Sequence, residues 1–97
     1  MAEVEWTEEA AAWVRDIFEH IAADNPEAAE RVAEGLYLRA EQLRDHPESG
    51  YRYPGSRRDI RILVYGHYRI AYRVTEERNV RILGVYHGAL DITRYLY

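Results

Sequence analysis

"DIRILVYGHYRIAYRV", residues 59–74, carries two runs of β-branched and aromatic residues, "DIRILV" at 59–64 and "YRIAYRV" at 68–74, on either side of Tyr65, Gly66 and His67. A third run of the same kind, "NVRILGVYH", follows at 79–87. Short strands joined by glycine-containing turns predict an antiparallel meander. Which side chains share a face depends on the length of the Tyr65–His67 connection, because a slip of one residue moves a whole strand's side chains to the other face.

Two registers compete. A two-residue Gly66-His67 turn sets Tyr65 opposite Tyr68 and puts Ile60, Ile62 and Val64 on one face with Arg69 and Arg73, which mixes core with charge. A three-residue loop with a glycine bulge sets Val64 opposite Tyr68, so that Ile60, Ile62, Val64, Tyr68, Ile70 and Tyr72 form one apolar face and Asp59 meets Arg73. The second register is the expected one. With Val74 opposite Val80, Ile82 and Gly84 join the buried face. The other face then holds Arg61, Arg69, Arg73 and Arg81 interleaved with Leu63, Ala71, Leu83 and Val85. Arginines around an aliphatic floor suit a partner-binding face. The plainer reading is that the aliphatics are strand formers partly covered by the C-terminal tail.

Upstream, "AEVEW" reads as a short edge strand and Thr7 as a helix N-cap, with Glu8 and Glu9 in the first turn where the helix dipole favours acids. Ala10, Trp13, Val14, Ile17, Phe18 and Ile21 recur at helical spacing, a stripe that ends near Ala23. Asn25 as cap and Pro26 at the first helical position restart a helix. Its stripe is Ala29, Val32, Ala33, Leu36, Ala40 and Leu43, and it stops before Pro47. The two helices form an antiparallel hairpin. Gly35 costs about 1 kcal/mol inside a helix relative to alanine, and a close helix crossing is its expected reason. Residues 46–58, "HPESGYRYPGSRR", read as the longest loop, in which Tyr51 and Tyr53 are candidates for exposed contacts. The end, "GALDITRYLY", is a short helix or a tail.

The fold class is therefore α+β, a strand, a two-helix hairpin and a three-stranded meander in one domain over residues 1–97. No apolar run approaches the roughly 20 residues of a membrane helix, and no signal peptide is visible, so the expected location is the cytoplasm with no membrane partner. Without cysteine there is no thiolate nucleophile and no disulfide. The net charge of −4 weighs against a general polyanion binder. It hides an asymmetry: residues 1–50 hold 4 arginines against 13 acids (−9), and residues 51–97 hold 9 arginines against 4 acids (+5). All 13 basic residues are arginine, whose rigid fork suits phosphate or carboxylate. His20, His46, His67 and His87 form no ligand motif. His67 and His87 lie opposite each other in the expected register, but without nearby acids they read as a surface pair. Neither metal nor cofactor is expected.

The stretches "WTEEAAAWVRDIFEHIAADNPEAAERV", "LRDHPESGYRYPGSRRDIRILVYGHYRIAYRV" and "VRILGVYHGALDI" together resemble the RelE/ParE superfamily of bacterial type II toxins. The resemblance covers nearly the whole chain and implies a compact β-α-α-β-β-β fold with the helices on one sheet face. It also implies a cognate antitoxin as partner in a hetero-oligomer. RelE-like members cut messenger RNA on the ribosome, whereas ParE-like members poison DNA gyrase and are not nucleases.

RNA cleavage needs a base for the 2′-hydroxyl, an acid for the leaving oxygen and cations for the phosphate. Carried over by position, Arg69 matches the arginine of the "YR" strand and Arg61 a basic residue of the strand before it. His87, with Tyr95 or Tyr97, is the acid or base of that ribonuclease alternative, whose catalytic set is Arg61, Arg69 and His87. Its second basic position falls on Leu63, and the arginine after the last strand is replaced near Gly88 and Ala89. Together with the "HGALDI" ending, this makes the resemblance more ParE-like. The expected function is thus a gyrase-poisoning toxin, not an enzyme. Arg61, Leu63, Arg69, Arg73, Arg81, Leu83 and Val85 are its expected antitoxin contacts.

Overall fold

The computed structural model describes residues 1–54 and 59–88. "GALDITRYLY" beyond Gly88, with Tyr95 and Tyr97, lies outside them, as does the middle of the proline- and glycine-rich loop. In chain order the elements are β1 (Val4–Trp6), α1 (Glu8–Ala22), α2 (Pro26–Glu41), a 3-10 turn (Gln42–Arg44), β2 (Tyr51–Arg52), β3 (Ile60–Tyr65), β4 (Tyr68–Val74) and β5 (Val80–His87). The strands form one sheet in the order β1-β5-β4-β3-β2, antiparallel except for β1, which runs parallel to β5. The edge strand, helix hairpin and meander stand as the sequence implies. The short β2 is an addition inside the segment read as loop.

Both helices start where the caps predict. The Ala10 amide donates to Thr7 Oγ1 at 3.1 Å, and the Thr7 hydroxyl donates to the Ile82 carbonyl at 2.7 Å, which ties the start of α1 to the sheet. The Ala28 amide donates to Asn25 Oδ1 at 3.1 Å. The helices cover one sheet face. Ala10, Val14, Leu36, Ala40 and Leu43 pack there with Leu63, Ile70, Tyr72, Val80, Ile82 and Val85. Leu36 and Leu43 are fully buried, which stabilises the fold by about 2 kcal/mol each.

The register differs from expectation in two places. Tyr65 stands opposite Tyr68 across a two-residue turn, with Gly66 at φ 57°, the position that requires glycine in a type II′ hairpin. The bulge expected beside that turn lies instead between β4 and β5, where Ala71 faces Gly84 but Tyr72 faces Ile82, leaving Leu83 as the extra residue. Val74 does pair with Val80. Consequently Leu63 and Val85, expected on the open face, are 3% and 0% exposed beneath the helices, and Arg61 points to that side too. Ile60 and Ile62 lie on the opposite face, where they form a second buried cluster with Ala71 and Tyr86. Ile60, not Asp59, meets Arg73, and Asp59 accepts from Arg52 instead. The physical reason is two-sided burial: Ile62 and Leu63 are adjacent and both buried, so the strand has no single core face for alternation to report.

Gly35 also has a different reason from a helix crossing. A β-carbon there would fall 1.8 Å from the phenol oxygen of Tyr65, so the end of β3 packs its ring against the α2 backbone.

Candidate binding face

The face away from the helices is assembled in rows across the sheet. Ile60, Arg73 and Arg81 form one row, continued by Glu5 on β1; Arg81 Nε donates to Glu5 Oε1 at 2.7 Å. Tyr51, Ile62, Ala71 and Gly84 form the next. Val64, Arg69 and Tyr86 form a third, near the β3–β4 turn. Tyr86 lies over Gly84, where a β-carbon would come within 2.2 Å of its hydroxyl, and meets Trp13 of α1 edge-on at 4.8 Å. Arg69 is held in place by two bonds from Nη1, to the Gly66 carbonyl at 3.3 Å and the Tyr68 carbonyl at 3.2 Å. Its guanidinium passes within 3.3 Å of the space a side chain at Gly88 would fill. At the same end of the sheet the His67 and His87 rings lie nearly parallel at 6.2 Å, and Tyr68 meets His87 edge-on. Among the described residues no three histidines, aspartates or glutamates cluster as metal ligands.

Of the expected contacts, Arg69, Arg73 and Arg81 share this face, and half-buried Leu83 packs against its apolar cluster. Leu63, Val85 and Arg61 do not. Arg61 Nη1 donates to the carbonyls of Glu48 at 3.2 Å and Gly50 at 3.0 Å, and its Nε is buried without a partner. The same segment is held by Tyr72, whose hydroxyl accepts from the Gly50 amide at 2.9 Å and donates to the Pro47 carbonyl at 2.8 Å. Burial pushes the Tyr72 phenol above its ordinary pKa. Glu48 itself is paired with Arg78, which holds its carboxyl below the usual range. Arg61 and Arg69 therefore lie on opposite sheet faces. Arg61 is opposite Tyr72 and Arg69 opposite Val64, so along the strands they are also separated by three residues, roughly 10 Å.

Sequence reasoning missed Val64, which is 41% exposed on this face, because the expected register buried it. It singles out Tyr51 as exposed, and that residue is 52% exposed. Tyr53, named with it, instead packs half-buried on the Ile60 and Ile62 cluster.

A family model described as the ParE toxin of the type II toxin–antitoxin system parDE matches residues 4–92. The chain belongs to that ParE toxin family. Solved structures of related design agree on the fold. The chromosomal ParDE system from P. aeruginosa superposes with a TM-score of 0.76 at 22% identity, covering 90% of this chain and 96% of that one. The toxin–antitoxin complex RelBE2 from Mycobacterium tuberculosis gives 0.63 at 23% identity, covering 89% and 96%. The E. coli toxin RelE, as an arginine double mutant in the free state, gives 0.64 at 20% identity, covering 99% and 95%. No curated protein sequence matches significantly. This ParE family member is thus a toxin of the type II class, and no helix among its described residues is long and apolar enough to cross a membrane.

Proposed function

We propose that this toxin acts on DNA gyrase and is neutralised by a cognate antitoxin that covers the arginine-bearing sheet face. The family match over residues 4–92 supports a ParE-like target. The observation that carries the choice against a ribonuclease is the divergence of Arg61 and Arg69. Two cations that clamp one scissile phosphate must converge on it, and these side chains leave opposite faces of the sheet, with Arg61 occupied by loop carbonyls. Arg69, Arg73 and Arg81 share one face, where Arg69 and Arg73 serve as charge-assisted donors for antitoxin carboxylates and Arg81 is already paired with Glu5.

Purified toxin added to gyrase and relaxed plasmid tests the target. Loss of supercoiling with accumulation of cleaved plasmid is expected, and unchanged gyrase activity at saturating toxin rejects it. The same protein in a translation extract should leave messenger RNA intact; codon-specific cleavage would instead favour the ribosome and mRNA as partners, with Arg69 and His87 at the chemistry.

A further inference from the structure

Two of the exposed large apolar side chains among the described residues, Tyr51 and Val64, belong to the sheet. They share the face away from the helices, beside its buried cluster of Ile60, Ile62, Ala71 and Tyr86: Tyr51 stands opposite Ile62, and Val64 follows two residues along the same strand. Directly across from Val64 is Arg69. We infer that Tyr51, Val64 and Arg69 form a contact strip for an antitoxin segment that presents an apolar side chain next to a carboxylate. The inference rests on the antitoxin reading above and names the residues that carry it.

Preorganisation supports the strip. Tyr51 follows Gly50, whose amide is fixed by the Tyr72 hydroxyl and whose carbonyl is fixed by Arg61. On its other side Arg52 is paired with Asp59 at 2.9 Å. An exposed aromatic ring on a backbone already held still loses little entropy on binding, which is the property of an interface anchor. Among the described residues Arg69 bonds through Nη1 to the turn carbonyls, and the forked guanidinium has further N–H donors suited to a carboxylate. Charge favours an acidic protein segment over a nucleic acid. The half of the chain from residue 51 carries +5, which attracts acids locally, while the whole chain carries −4, which opposes a long polyanion.

The strip also replaces Leu63 and Val85, which are buried under the helices and reach no partner. That difference supplies the test. The probe is the protein encoded by the reading frame adjoining that of the toxin, titrated calorimetrically into the full-length chain, with thermal melting of each variant alongside. Tyr51→Ser and Val64→Ser should each weaken binding by about tenfold or more while the melting temperature stays close to that of the parent. Leu63→Ala should lower the melting temperature and leave the affinity of the folded protein unchanged. Parent-like affinity in both surface variants overturns the strip. So does retained affinity with lost growth inhibition, which would assign the strip to the toxin's target. No binding by the parent protein removes the antitoxin reading itself, and the strip with it.

Discussion

The Tyr65 phenol occupies the space that a β-carbon on Gly35 would need, with 1.8 Å between them. Alanine there would gain about 1 kcal/mol of helix propensity, but displacing the ring costs about 1–3 kcal/mol. Gly35→Ala should therefore destabilise the toxin in urea unfolding, and in a Tyr65→Leu background the same change should be neutral or stabilising. Equal effects in the two backgrounds would refute the contact as the reason for the glycine.

Tyr72 is the pin of the segment before β2. Tyr72→Phe leaves the Gly50 amide and the Pro47 carbonyl without their partner, at a cost of about 1–3 kcal/mol. The pH dependence follows from the raised phenol pKa. Above the ordinary value of 10.0 the unfolded chain releases this proton while the folded chain keeps it, so the folded state binds more protons and stability falls as pH rises. The loss begins above that value and continues as pH approaches the higher folded one. Chemical unfolding from pH 8 to 11 should show a steeper decline for the parent than for Tyr72→Phe.

Thr7 and Asn25 both cap helices, but Thr7 has a second bond, to Ile82 on the sheet. Asn25→Ala should cost about 1 kcal/mol, the usual worth of a cap. Thr7→Ala should cost about 2 kcal/mol, because the link between α1 and β5 goes with it. Denaturant midpoints of the two variants, compared at equal slopes, give the ranking.

Arg61 and Arg69 should separate stability from binding. Arg61→Ala removes the donor to the Glu48 and Gly50 carbonyls and is expected to destabilise by about 1–2 kcal/mol. Arg69→Ala should leave the melting temperature nearly unchanged and weaken antitoxin binding. If both variants lost binding equally at unchanged stability, the assignment of Arg61 to the inner face would be wrong.

The sequence legibly supplied the elements. Threonine and asparagine caps, Pro26 and the helical apolar stripes placed α1 and α2, and β-branched runs placed β3, β4 and β5, because these signals are local and act within a turn or a strand. The cluster Arg69, Arg73 and Arg81 was also readable, since those residues stay on the open face in either register.

Faces were not readable from alternation. A two-residue β3–β4 turn mixes Ile60, Ile62 and Val64 with arginines, which alternation alone disfavours, yet that mixture is the native face. Its isoleucines are buried among Ala71 and Tyr86 while Arg69 and Arg73 flank them. A strand pattern assigns faces only when one side is wet, and here both sides bury apolar atoms. Local chemistry determined the strands, helices and their caps. Only the tertiary structure decided which residues lie on the face away from the helices, because the bulge at Leu83 is set by what each face must pack against, and no stretch of neighbouring residues contains that information.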